Sequence, residues 1–278
     1  MSLLEIKNLT VTFPTNKGPI DVVKKFNLKM GREKIGIVGE SGSGKSMTAR
    51  ALLGLIRQPG KVSADKLELD GQSLLNLSDK GWRGIRGQGI SMIMQDPKYS
   101  LNPVMTIKQQ MLETWMLHHK GKKKEGLAAI ISSLTDVAIR DHERVLSSYP
   151  HQLSGGMGQR IMIAMMLMSE PKILIADEAT SALDVTVQRQ ILGILERNVQ
   201  QHNSGLILIS HDLPMVADFC DRIIVMYRGN IVEVLDAGEL KNAKHPYTQG
   251  LLSCLPSYDN RHQVLPTLQR NPSWEKVS

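Results

Sequence analysis

The sequence predicts an α/β fold: a mostly parallel sheet covered by helices, an antiparallel pair of strands at the N-terminus, and a helical subdomain inserted midway. Three observations predict it. The apolar runs at residues 34–38, 172–177 and 206–210 are continuous rather than alternating, as in parallel strands buried on both faces. The first of these runs ends in a glycine-rich loop that leads into a helical pattern. Between Gln95 and Pro171 no strand pattern occurs, while three helical patterns do.

In chain order, Leu4, Ile6, Leu9, Val11 and Phe13 give a strand whose alternation breaks once. Residues 15–19 form a turn cluster, a second strand covers 20–30, and Gly31-Arg32-Glu33 reads as a tight connection of the hairpin kind. A strand at 34–38 feeds a helix over 47–56, apolar at Ala49, Leu52, Leu53 and Ile56. Further strands are expected at 66–70, 89–95, 172–177, 206–210, 222–227 and 230–235, and helices at 105–118, 125–137 and 156–168. The basic stretch Lys120-Gly121-Lys122-Lys123-Lys124 reads as a solvated loop tip.

Composition narrows the function classes. The chain has 278 residues, 41% of them hydrophobic, and at this length roughly three quarters of the unfolded surface can be buried without disulfides or a structural metal. Its two cysteines, Cys220 and Cys254, are too few for a disulfide framework or a four-thiolate metal site, so the cytosol is expected. The longest apolar run, residues 161–168, is eight residues, against the roughly 20 needed to span a bilayer. Residues 1–7 reach an acid at Glu5 and do not read as a secretory signal. A net charge of +7 permits anionic partners but is equally an ordinary basic surface.

Gly39-Glu40-Ser41-Gly42-Ser43-Gly44-Lys45-Ser46 fits the eight-position phosphate-loop pattern, with a strand before it and a helix after it. Its glycines let backbone N–H groups converge on phosphate oxygens with no Cβ in the way. The helix that follows, from Met47 on, adds unpaired N–H groups and the positive end of its dipole. Lys45 is expected to meet the β- and γ-phosphates, and Ser46 to offer its hydroxyl to Mg²⁺. A second strand, 173–177, ends in Asp177 and Glu178 at the edge where open α/β sheets bind ligands. Asp177 is suited to hold Mg²⁺ through its water shell and Glu178 to act as the general base on an attacking water.

Leu153-Ser154-Gly155-Gly156 opens a strongly apolar helix and is a second helix start able to take a phosphate, although alone it could be only a capped helix. Two such starts do not fit one nucleotide in one subunit. The simplest arrangement is a head-to-tail dimer in which Ser154, Gly155 and Gly156 of one subunit close on the phosphate held by the loop of the other.

Taken together, these residues resemble the nucleotide-binding subunits of ABC transporters over nearly the whole chain. The resemblance implies a P-loop NTPase core of the ABC-ATPase type, with ATP and Mg²⁺ as ligands. It implies that Gln95, in Met94-Gln95-Asp96-Pro97, is the glutamine that senses Mg²⁺ and water. Asp184, after Ser181-Ala182-Leu183, is the interface aspartate, and His211 is the switch histidine that contacts the γ-phosphate. Phe13 matches the aromatic that stacks on adenine, though an apolar strand residue fits as well. Ala179 stands where the family usually has Pro, and Gly158 where a longer, often basic, residue is common; the latter weakens the helix start somewhat. The domain reading is residues 1–255 as one nucleotide-binding domain, with a helical subdomain at about 97–170, and 256–278 as a C-terminal extension.

His245-Pro246-Tyr247-Thr248-Gln249-Gly250-Leu251-Leu252 and residues 180–195 resemble the branch that imports peptides, nickel or opines. Many peptide importers of this branch carry a cysteine-rich tail with an iron–sulfur cluster. No Cys follows Cys254, so no cluster is expected and the reading leans to nickel or another chelated metal over peptide. The partners implied are a second ABC ATPase subunit, in a heterodimer, two membrane permeases and an extracytoplasmic solute-binding protein, with the chain on the cytoplasmic face of the membrane. The alternative is a soluble ABC-type ATPase acting on DNA or ribosomes; otherwise no nucleic acid is expected.

Overall fold

The structure, a computed structural model, describes residues 2–95, 100–180 and 184–255 together with Leu268, Asn271 and Trp274. Asp96, Pro97, Ser181, Ala182, Leu183 and nearly all of the expected 256–278 extension lie outside the described residues. The chain begins with β1 (Leu4–Thr15), β2 (Gly18–Met30), β3 (Lys34–Val38), α1 (Lys45–Leu52), β4 (Lys61–Ser63), β5 (Lys66–Leu69) and β6 (Gln72–Ser73). Next come α2 (Asp79–Ile85), β7 (Ile90–Ile93), α3 (Ile107–His118), α4 (Lys123–Asp136), α5 (His142–Ser147) and α6 (Gly155–Leu167). It ends with β8 (Ile173–Asp177), α7 (Val185–His202), β9 (Gly205–Ser210), α8 (Leu213–Phe219), β10 (Arg222–Tyr227), β11 (Asn230–Asp236) and α9 (Pro246–Ser253). These fall into two units, one of Met1–Asn76 with Leu208–Ser278 and the other of Leu77–Ile207.

In the first unit, β1 pairs antiparallel with β2 on one side and with β4 and β5 on the other. Leu4, Ile6, Leu9 and Val11 of β1 are buried, so each apolar side chain contributes roughly 1.5–3 kcal/mol against the unfolded chain. The expected turn at 15–19 is mostly strand: Pro14 pairs with Pro19 and Thr15 with Gly18, leaving only Asn16 and Lys17 to turn. Gly31-Arg32-Glu33 is not a hairpin connection. β2 pairs with β1, whereas β3 runs parallel to β10, with β11 antiparallel beyond it. The physical reason is burial: β2 alternates, while residues 35–38 of β3 are all buried and need cover on both faces. α1 ends at Leu52, earlier than the apolar spacing suggests, because the chain winds back so that Leu55 N donates to Arg50 O at 2.8 Å. Cys220, at the end of α8, is buried, and burial pushes its thiol up to about 12.

In the second unit, β7 and β8 pair in parallel from Ile90 with Ile173 to Ile93 with Ala176. All five residues of β8 are buried, which is why the run is continuous in apolar residues. Between β7 and β8 the described residues form helices only. α3 starts on a capping box of Thr106 and Gln109. The basic stretch is solvated as expected, Lys120, Lys122, Lys123 and Lys124 all being exposed, but it runs from the loop into α4: Lys120 and Gly121 lie in the connection and Lys122 caps the helix, its backbone N–H donating to Glu125 Oε2 at 3.0 Å. α7 buries Ile191, Leu192, Ile194, Leu195 and Val199 on one face. No helix among the described residues is long and apolar enough to cross a membrane.

Candidate functional site

The glycine-rich loop leaves the buried end of β3 and turns into α1, all within the first unit. Two of its glycines are dictated by space as well as by backbone. Gly39 has φ +148°, and a Cβ there would lie 2.2 Å from Met226 O; Gly44 has φ +103°, and a Cβ would lie 2.6 Å from Val22 O. The loop is thus pressed on the backbones of β10 and β2. Gly229 N, in the turn between β10 and β11, donates to Ser43 O at 2.9 Å, and Lys24 N donates to Gly229 O at 2.8 Å.

Lys45 is 5% exposed and its Nζ donates to Gly39 O at 2.7 Å and Glu40 O at 2.9 Å. Gly44 caps α1 and, having no side chain, contributes no side-chain cap hydrogen bond to the first turn that carries Ser46 and Met47. A buried ammonium beside a glycine-capped helix start is a chemistry that suits phosphate. Ser41 and Gly42 are exposed at the loop's tip, and Ser43 is buried. Phe13 is half-buried on β1, with its ring over Gly60, where a Cβ would lie 2.7 Å from the Phe13 Cε1. His211 is exposed immediately after β9, held at the helix start where Asp212 accepts from Met215 N at 3.1 Å.

The second unit brings together two residues that stand far apart in sequence. Gln95 follows β7 and Glu178 follows β8, and because those strands pair in parallel their ends coincide. Gln95 Nε2 donates to Glu178 Oε2 at 2.9 Å. Asp177, the last residue of β8, is 7% exposed. Glu178 has φ +48°, a left-handed conformation that a side-chain-bearing residue rarely holds unless its surroundings impose it.

Part of that imposition is visible. Gln159, buried on α6, donates through Nε2 to Ala179 O at 2.7 Å and so ties that helix to the turn that carries Glu178. Gln159 went unnoticed in the sequence, since a Gln four residues into an apolar helix has no local signature. Ala179, where Pro is usual, is 2% exposed and supplies that carbonyl.

Ser154 caps α6, its Oγ accepting from Met157 N at 3.4 Å, and Gly158 N donates to Ser154 O at 3.0 Å. Gly155 and Gly156 have nothing within 4 Å of a built Cβ, and Ser154 and Gly155 are exposed. Asp184 caps α7, its Oδ1 accepting from Thr186 N and Val187 N, each at 3.0 Å.

Comparison with known proteins follows the same residues. The family pattern described as ABC transporter matches residues 23–181. The dipeptide transport ATP-binding protein DppD of Escherichia coli (strain K12) is 46% identical over 271 residues, covering 96% of this chain and 83% of that protein. The oligopeptide transport ATP-binding protein OppD of the same organism is 43% identical over 274 residues, covering 98% and 81%. Among solved structures, the dimeric structure of a bacterial ABC transporter cassette superposes with a TM-score of 0.74 at 27% identity, over 84% of this chain and 98% of that one.

Proposed function

The chain belongs to the ABC transporter family as one of its ATP-hydrolysing subunits, and from that premise we propose that it powers uptake of peptides through membrane permeases. The relatives described above are named for dipeptide and oligopeptide transport, which moves the reading from chelated metal, to which the cysteine count leaned, to peptide. The same names, as transport subunits, give nothing to the alternative of an ATPase acting on DNA or ribosomes. Its partners are a second, different ATPase subunit, two permeases and an extracytoplasmic solute-binding protein, with this subunit on the cytoplasmic face. The exposed start of α6 and the open space at Gly155 and Gly156 support a partner surface there.

The residues divide the work. The N–H groups of residues 39–47 and the Lys45 ammonium bind the phosphates of ATP, the glycine at the cap of α1 and the buried Lys45 being what supports this assignment. Phe13 takes the adenine. Ser46, Gln95 and Asp177 are the groups for Mg²⁺; the described residues hold no cluster of three His, Cys, Asp or Glu, and a site completed by phosphate and water needs none. When bound, Mg²⁺ would neutralise phosphate charge. Glu178 accepts the proton of the attacking water on its carboxylate, and Gln95 orients that carboxylate. His211 donates to the γ-phosphate. Ser154, Gly155, Gly156 and Asp184 act across the subunit interface. Residues 1–255 form the working domain, with the helical subdomain at about 97–170 as the part that meets the permeases.

The observation that carries the mechanism is the Gln95–Glu178 hydrogen bond at 2.9 Å, since it fixes the Glu178 carboxylate at the end of the paired strands β7 and β8. Glu178→Gln is expected to keep ATP binding, trap the closed dimer and lower turnover by at least about 10²-fold. Near-normal hydrolysis by this variant overturns the base assignment. Stimulation of the assembled transporter's ATPase by peptides loaded on the binding protein, and not by chelated nickel, checks the solute; the reverse pattern overturns it.

A further inference from the structure

The His245-Pro246-Tyr247-Thr248 segment has no part in the mechanism above, yet it reaches the phosphate loop. Glu233 Oε1 on β11 accepts from Lys244 N at 2.6 Å and His245 N at 3.2 Å, fixing the approach to α9. His245 caps the helix, its Nδ1 accepting from Tyr247 N at 3.1 Å, and Pro246 sits in the first turn, where its missing N–H costs nothing. Tyr247 is thereby held with 0% exposure, its ring centroid 4.6 Å from that of Tyr227 and 5.7 Å from that of Trp274. Its phenol oxygen accepts from Glu40 N at 2.9 Å.

The amide of Glu40 and the carbonyl of Gly39 belong to one peptide unit. Tyr247 Oη holds its N–H, and Lys45 Nζ holds its C=O at 2.7 Å. A peptide next to a glycine at φ +148° has a low barrier to reorientation, and these two bonds fix it from opposite ends. We propose that Tyr247 is a positioning residue for nucleotide binding: by pinning the Gly39–Glu40 peptide it sets the Gly39 carbonyl that, with that of Glu40, places the Lys45 ammonium. The proposal rests on the reading of residues 39–46 as the ATP phosphate site.

Tyr247→Phe keeps the ring and removes the phenolic hydroxyl, and with it the bond from Glu40 N. In the full chain assembled with its transporter partners, it is expected to raise the KM for ATP about fivefold, the size of one neutral hydrogen bond, with kcat at saturating ATP unchanged. Calorimetric titration of the purified full chain with Mg·ATP should show the same factor. Tyr227→Phe is the control: it removes a buried hydroxyl of the same ring cluster that has no hydrogen-bond partner among the described residues, and both affinity and KM should keep their parent values.

A Tyr247→Phe chain that melts lower yet binds ATP as the parent does overturns the proposal, because the phenol would then serve packing alone. Equal losses in Tyr247→Phe and Tyr227→Phe overturn it too, since the ring cluster and not the Glu40 bond would be responsible. If the parent chain itself fails to bind Mg·ATP, the reading of the loop falls first and takes this proposal with it; parent binding with an unaffected variant sinks the proposal alone.

Discussion

Two helix starts in this chain carry glycines and the capacity to bind an anion, and they are built in opposite ways. At the start of α1 the glycines are pressed against backbone: a Cβ on Gly39 or Gly44 would meet Met226 O or Val22 O, and Lys45 is buried. At the start of α6 a Cβ on Gly155 or Gly156 would meet nothing, and Ser154 is exposed. The first loop needs glycine because of its own fold. The second has no such need within the chain, as the proposed role of its surface, accepting a partner's ligand at close range, would have it.

That contrast breaks or holds on substitution. The largest effect on the chain's own stability is expected at Gly44→Ala. A left-handed φ of +103° and a backbone oxygen 2.6 Å from the new Cβ leave no relaxed conformation. The cost is about 3 kcal/mol, from left-handed strain and overpacking together. Thermal unfolding of the purified chain measures it, and ATP affinity should fall with it. A Gly44→Ala chain as stable as the parent would mean that β2 yields easily and that the first loop is no more built in than the second.

Both helix starts were legible in the sequence, because strand, glycine-rich loop and helix follow each other locally and the pattern dictates its own geometry. The strands β8, β9 and β10 were legible for a similar reason: burial on both faces writes a continuous apolar run. What could not be read was pairing at a distance. Gln95 and Glu178 meet only because β7 and β8 are parallel neighbours, and Gln159 and Tyr247 reach backbone atoms of Ala179 and Glu40. A bond to a backbone atom leaves no trace in the partner's residue type. The reading of Gly31-Arg32-Glu33 as a hairpin failed likewise: a short polar connection looks the same whether it joins two strands of one sheet or carries the chain into another.

A smaller effect is expected at Ser154→Ala. The lost bond is long, 3.4 Å from Met157 N, and the residue is exposed, so water can replace much of it. The cost to the isolated chain is about 1 kcal/mol or less, the usual range for an N-cap. Turnover of the assembled transporter should fall much further than that if the same hydroxyl serves the facing phosphate, as proposed above. Equal and small losses in stability and turnover would reduce Ser154 to a cap and remove half of the contrast.

The smallest effect on stability, and the sharpest test, lies at Gly155→Ala. The residue is the first of α6, needs no left-handed conformation, and has open space where the methyl would go. On helix propensity alone the change is neutral or stabilising by about 0.5–1 kcal/mol. The isolated chain should therefore melt at or above the parent temperature and bind Mg·ATP as the parent does. The assembled transporter should nonetheless lose at least about tenfold in ATP turnover, since a methyl that intrudes on a closely approaching phosphate costs 1.4 kcal/mol or more in the closed dimer. Stability retained with turnover lost would locate the requirement for glycine outside the chain. Stability lost would place it inside, as at Gly44, and turnover retained would leave the open space at α6 without a use.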